Sequence, residues 1–497
     1  MSESLADSLR RATRNFTSRL PEDQVFSLGR DLAQELARAH AEKPPRHPEL
    51  DPVRIELQEG KPRLSGSRVG SVASDLFELG SLLHCLATGQ EPDVSWRLDG
   101  PPPPEIASLR RRPLLTALAS PSRLASIASA EEAAKRLEEA LQGEPDTEAP
   151  WPLFRGDPAR AGARSGPPPG ALSLHWQAAV GGVVASPVLT SSLVLAATAD
   201  GRLLFLDRAS GGLLAELRVA TALESSPALL GRLLHLGTDD GELVGVDVPN
   251  GRETYRVKLG EVIRSSPLPA DDRLLVGVVE GKAGAVAALE AGTGKTIWRR
   301  KLGAVFSSPA LAPPFVIVGS DDASVHALDL AKGTVAWSRP MSERVRATPA
   351  VRGELAVVSD FHGRLAALQT KDGNVLWQRE LGQPIYSSAC FLGELGVVGC
   401  HDGRVYGFRL TTGEPVFQLE TRGPVVSSPV AVGGRLLVAS TDGSLYLLDD
   451  AGHELARLSV APEGVQSSPA LDATAVVLGS GRGLHAFRLL ESAESPA

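Results

Sequence analysis

The chain has 497 residues, is 42% hydrophobic and 22% charged, and carries a formal net charge of -8. This is the make-up of a soluble globular protein, with room for two or three domains or one large propeller. The acidic balance argues against a broad nucleic-acid footprint, and three cysteines (Cys85, Cys390 and Cys400) make no disulfide framework. Residues 1–16 mix Glu, Asp and Arg without an apolar centre, which is not the pattern of a signal peptide. No run of 18 apolar residues occurs and neither end shows a lipidation signal. A cytoplasmic protein without a transmembrane helix is the expectation.

The first zone, residues 1–142, has helical spacing. Leu28, Leu32, Leu36 and Ala39 fall on one helix face, and Ala130 to Leu141 forms a second helical run with Ser129 as its cap. Three ordered segments stand out: Ser4 to Gln24 leading into the helix ending at Ala39-His40, Ser74-Asp75 to Pro92, and Ser120-Pro121 to Glu132. In that order they resemble the C-lobe of protein kinases. The resemblance implies helical docking faces, but the chemistry departs from it. Where kinases carry His-Arg-Asp-Leu-Lys-Pro-x-Asn, this chain reads His47-Pro48-Glu49-Leu50-Asp51-Pro52-Val53-Arg54. The Asp-Phe-Gly position reads Leu64-Ser65-Gly66. Phosphoryl transfer needs magnesium held by oxygen ligands and a positioned base, which leucine and arginine do not supply. No glycine-rich phosphate loop or partner lysine is present. The expectation is a degenerate, mainly α-helical kinase-like domain, in which Asp75 caps a helix; an unrelated small helical domain is the other reading.

Residues 143–170 are rich in Gly, Pro, Ala and Arg, which reads as a semi-stiff linker. The array follows over 171–489, with a polar tail at 490–497. Pro187, Pro227, Pro267, Pro309, Pro349, Pro429 and Pro469 recur, with Ala389 in the missing place. Fourteen residues after each mark stand Gly201, Gly241, Gly281, Ala323, Gly363, Gly403, Gly443 and Gly483. One unit therefore repeats eight times. Within the second unit, short strands are predicted over 226–230, 233–237, 242–247 and 253–259, with turns at Gly231-Arg232, Asp240-Gly241 and Asn250-Gly251. Four antiparallel strands per unit make a propeller blade. The eighth unit lacks its fourth strand, and residues 172–177 supply a surplus one, so that segment is expected to close the ring. Cys390 and Cys400 fall on neighbouring strands but not opposite each other, and are read as buried free thiols.

The turn-and-strand segments Gly294 to Trp298, Gly333 to Trp337 and Gly373 to Trp377 share one spacing, which Gly413 to Phe417 and Gly251 to Tyr255 repeat. They resemble the tryptophan-docking repeat of quinoprotein dehydrogenases and of the BamB-type outer-membrane assembly lipoproteins, and Trp151 to Asp157 is similar to their lead-in. The resemblance implies an all-β eight-bladed propeller in which Tyr255, Trp298, Trp337, Trp377, Phe417 and the closing strand's Trp176 pack between blades. It also raises a quinone cofactor, held in that family under a vicinal disulfide and on calcium. No adjacent cysteine pair exists here, so no cofactor, metal or catalytic residue is expected.

Three residues before each mark stand Val184, Glu224, Arg264, Phe306, Arg346, Tyr386, Val426 and Gln466. Blade geometry places them around the mouth of the central channel, and they vary while their neighbours repeat. Glu224, Arg264, Phe306, Arg346, Tyr386 and Gln466 are thus the candidate partner-binding ring, since arginine and aromatics anchor interfaces. Loop residues with private packing would vary in the same way. The turn carboxylates Asp200, Asp240, Asp322, Asp402 and Asp442 are turn formers that would lend this face a negative rim. The expected function is a non-catalytic protein-binding scaffold; the alternatives are a quinoprotein-type redox protein and a residual kinase-like nucleotide binder.

Overall fold

A computed structural model describes residues 3–4, 22–41, 56–58, 61–63, 79, 150–249 and 251–491. The chain divides into two units, Met1–Pro145 with Val248–Arg252, and Asp146–Asp247 with Glu253–Ala497. In the first unit the helix Glu22–Ala41 buries Leu32, Ala33, Leu36 and Ala39 fully, the face its spacing predicts. Strands Glu3–Ser4, Glu56–Gln58 and Lys61–Arg63 form a small antiparallel sheet that the helical reading did not include. The segments carrying the kinase resemblance at His47 to Arg54, Leu64 to Gly66 and Ser120 to Glu132 lie outside the described residues, as do Asp75 and the run after Ser129. Among the described residues no helix is long and apolar enough to cross a membrane.

The second unit is a ring of eight antiparallel sheets. Blade 2 shows the pattern, with strands Ala228–Leu230, Leu233–Gly237, Glu242–Asp247 and Arg252–Lys258 in that order across the sheet. First strands are buried, while fourth strands such as Val335–Pro340 alternate exposed and half-buried residues. The sheets thus run outward from the axis, and apolar second and third strands pack blade on blade. Closure comes from Pro169–Ala178, which pairs antiparallel with Leu484–Glu491 of blade 8. First and last blades therefore share no open edge.

Two devices couple neighbours. In six of the eight blades an aromatic on the fourth strand lies against the turn glycine of the next blade. A Cβ on Gly333, Gly373 or Gly413 would sit 2.4–2.5 Å from Trp298, Trp337 or Trp377, and Gly211, Gly294 and Gly452 meet Trp176, Tyr255 and Phe417 in the same way. These turns need positive φ as well, 66° at Gly333 and 70° at Gly373. The indole N–H groups of Trp176, Trp337 and Trp377 donate to carbonyls of the next blade at 2.9, 2.9 and 2.7 Å.

The second device is a belt of hydroxyls immediately before the marks. Ser186 N–H donates to Ser226 Oγ, Ser226 to Ser266, Ser266 to Ser308, Ser308 to Thr348, Thr348 to Ser388, Ser388 to Ser428 and Ser428 to Ser468, at 2.9–3.2 Å. Each bond satisfies a buried backbone donor with a hydroxyl one repeat away.

Candidate functional site

The inner edge of every first strand faces the channel with backbone groups that need partners. Residues 151–164 supply them in six blades. Trp151 bridges Leu189 of blade 1, and the carbonyls of Pro152, Pro158, Ala159, Ala161 and Gly162 accept from Leu229, Leu311, Val351, Phe391 and Ala431 of blades 2, 4, 5, 6 and 7. Ala163–Arg164 then pairs parallel to the first strand of blade 7. Trp151, Leu153, Arg155 and Arg160 are all at most 3% exposed. The sequence reading placed 143–170 in a linker. Over 151–164 the structure departs from it, because this peptide is hydrogen-bonded to the first strands of six blades and buries Trp151, Leu153, Arg155 and Arg160.

Its arginines are hubs. Arg155 donates to the carbonyls of Ala389 (2.6 Å), Pro429 and Arg160. Arg160 donates to the carbonyls of Phe154, Ser266, Pro267 and Pro309 at 2.6–3.1 Å. Arg160 thus ties blade 3 to blade 4, and Arg155 ties blade 6 to blade 7. Ala389, the exception among the prolines, keeps the carbonyl that this role requires. Burial pulls both guanidinium pKa values down, that of Arg160 to about 9 with Asp157 opposing.

Beyond the hydroxyl belt lie the varied positions, on the face that also carries the turns between second and third strands. Arg346 forms a two-point pair with Asp321 (2.9 and 2.7 Å), and its guanidinium carbon lies 4.0 Å from the Phe306 ring centre and 5.5 Å from that of Phe361. Phe361 meets Tyr386 at 4.4 Å between ring centres, and Tyr386 meets His401 at 5.7 Å. The Arg344 guanidinium carbon lies 5.6 Å from the Phe361 ring centre. Phe306, Arg346 and Tyr386 thereby join one sector spanning blades 4 to 6. Glu224 and Arg264 form a second group, with Arg264 paired to Glu224 (3.0 Å) and to Asp239 (2.8 Å). Burial raises the Glu224 carboxyl against the pull of Arg264, and the Asp239 hydrogen bond raises the Arg264 guanidinium. Gln466 is exposed on blade 8 and joins neither group.

Asp239, Asp321, Phe361 and His401 are the members the sequence reading missed. Each stands two residues before a turn mark, and Asp239–Arg264, Asp321–Arg346 and Phe361–Tyr386 are all 25 residues apart. The signal was variation at a second fixed position, the same rule that singled out the first.

The turn carboxylates are spent on turns. Asp240 accepts from the backbone and hydroxyl of Thr221 (3.0 and 2.6 Å), Asp322 meets His326 (3.0 Å), and Asp402 and Asp442 accept the hydroxyls of Tyr406 and Tyr446. Cys390 and Cys400 are free and buried, and burial pushes both thiols up to about 11. Asp321 and Asp239 are committed to arginines, and among the described residues no group of three His, Cys, Asp or Glu converges.

Four-stranded blades, interblade aromatics and a borrowed closing strand define a propeller of the tryptophan-docking kind. Residues 170–261, 199–284, 240–395 and 393–494 match the family described as outer membrane protein assembly factor BamB, and the chain belongs to that family. No curated protein matches by sequence. Among solved structures it is similar to BamB from Moraxella catarrhalis, with TM-score 0.56 and 20% identity over 66% of this chain and 99% of that one. It is also similar to a europium-containing methanol dehydrogenase (TM-score 0.61, 14% identity, 71% and 100% covered). A quinohemoprotein alcohol dehydrogenase from Comamonas testosteroni is similar too (TM-score 0.60, 14% identity, 71% and 82% covered). At these identities the likeness is one of fold. The family match begins at residue 170, so the kinase-like reading of 1–142 rests on sequence alone.

Proposed function

We propose that this protein is a non-catalytic binding platform for other proteins, and that the mouth of the propeller is where they dock. One observation carries the reading: an arginine–aromatic sector spans blades 4 to 6, with Tyr386 43% exposed. A shallow, rigid surface of aromatics and arginine suits a protein partner better than an enclosed small molecule. The description of the family as an assembly factor points the same way. Residues 1–142 enter the proposal as a second docking element, on their degenerate kinase-like motifs.

The test is affinity capture from the native host with the full chain as bait. Arg346→Met combined with Tyr386→Ala is expected to abolish capture with the fold retained, because Tyr386 is exposed and methionine keeps the half-buried volume beside Phe306 and Phe361. Capture undiminished in the double variant would remove the mouth from the reading. A quinoprotein-type role is the alternative, and residual nucleotide binding a further one. Stabilisation by quinone with calcium would favour the former, and by ATP with magnesium the latter.

A further inference from the structure

Blade 4 carries a carboxylate, an imidazole and a hydroxyl in series. Asp322 in the turn lies 3.0 Å from His326 Nε2, and Ser338 Oγ on the outermost strand lies 2.7 Å from His326 Nδ1. Burial would raise the Asp322 carboxyl, but the His326 hydrogen bond, joined by the Gly303 N–H, holds it below the usual carboxylate range. An ionised carboxylate only accepts, so His326 donates from Nε2. In the neutral ring Nδ1 is then the acceptor for the Ser338 hydroxyl. Blades 6 and 7 hold Tyr406 and Tyr446 at the place of His326, and their hydroxyls donate to the turn aspartates Asp402 and Asp442. Across the sheet from these tyrosines stand Gln418 and Arg457, where blade 4 has serine. The imidazole thus keeps the clasp to the turn and spends its second nitrogen on a hydroxyl.

Ser338 is exposed, whereas His326 is buried. Its strand, Val335–Pro340, is the outer edge of the blade 4 sheet. Met341 N–H donates to the Ala323 carbonyl, so the pairs of Val325 with Arg339 and of Ala327 with Trp337 carry the ladder. The Ser338 N–H, one residue out of step, points away from the sheet. A backbone donor therefore stands beside the hydroxyl on the open edge.

We infer that Ser338 is a modification site, at which an acyl thioester transfers its acyl group to the serine. Ser338 Oγ attacks the thioester carbonyl carbon, and its proton passes to His326 Nδ1. The carbonyl oxygen, while negative, accepts from the Ser338 N–H. The C–S bond then breaks, the sulfur leaves with the proton from His326, and the serine is left as an ester. Asp322 fixes the tautomer and balances the imidazolium. The group holds no cation, which a phosphoryl donor requires, whereas a thioester carbonyl is uncharged. The transfer is stoichiometric, so it stands beside the platform reading and does not depend on the mouth.

The test incubates the full chain with phenyl thioacetate and maps acetylation by peptide mass spectrometry. Ser338 is expected to be acetylated about tenfold faster, or more, than the other serines. His326→Tyr installs the clasp that blades 6 and 7 already use, and His326→Gln keeps a polar side chain of similar length. Both remove the base and should slow labelling of Ser338 about tenfold or more. No acetyl group on Ser338, labelling no faster than at other serines, or a rate unchanged in both variants overturns the assignment.

Discussion

His235 shows how one residue departs from its repeat. Its counterparts across the blades are Leu195, Leu275, Ile317, Val357, Val397, Leu437 and Val477, all apolar. His235 is fully buried, with Nδ1 bonded to the Tyr255 hydroxyl at 2.7 Å and Nε2 without a partner. Burial drives its pKa down to about 3, against about 6.5 in an unfolded chain. The folded state thus resists a proton that the unfolded state accepts. Stability from this residue is complete above pH 6.5 and falls as pH drops from 6.5 towards 3, by about 1.4 kcal/mol per unit. His235→Leu with Tyr255→Phe should flatten that part of the profile, read as the wild-type minus variant difference in urea midpoint between pH 7.5 and 4.5. An unchanged slope would mean that the ring is reached by water.

At the scale of elements, the blade is legible in the sequence almost strand by strand. The second unit was read as 226–230, 233–237, 242–247 and 253–259, and the structure has Ala228–Leu230, Leu233–Gly237, Glu242–Asp247 and Arg252–Lys258. Alternation and turn glycines suffice because each strand finds its partner within a few residues. The docking between blades was legible as spacing but not as contact: each aromatic meets a glycine about 35 residues on, in the next unit. Gly373→Ala should therefore cost about 2 kcal/mol or more in chemical unfolding, since its Cβ would meet Trp337 at 2.5 Å with φ at 70°. If the contact is the cause, adding Trp337→Ala should cost less in that background than in the wild type. Strict additivity would assign the loss to backbone strain alone.

For the molecule as a whole, the peptide at 151–164 is a segment bonded to blades far from it in sequence. Arg160 reaches carbonyls 106, 107 and 149 residues away. Arg160→Met keeps most of the volume but leaves the carbonyls of Ser266, Pro267 and Pro309 without this buried donor, and that of Phe154 without a half-buried one. A loss of about 3 kcal/mol or more is expected in urea unfolding, against almost none for Arg344→Met at the surface. Equal, small effects would show that the axis is held by backbone pairing alone.

The sequence by itself determined eight units, a closing strand borrowed from 172–177, the interblade aromatics and the positions free to vary around the mouth. All of these follow from local periodicity, since a repeat copied eight times announces its own geometry. Tertiary structure alone decided three further things. Residues 151–164 became the core of the ring instead of a linker. Arg346 and Arg264 acquired the carboxylates Asp321 and Asp239. Phe306, Arg346 and Tyr386 were gathered with Phe361 and His401 into one sector over blades 4 to 6. The physical reason is common to them: the arginines are met by backbone carbonyls, or by side chains of the preceding blade, and a carbonyl has no letter of its own in the sequence. A segment rich in Gly and Pro reads as a connector until the unpaired inner edges of the blades, present only once the ring has closed, give its backbone a place to bind.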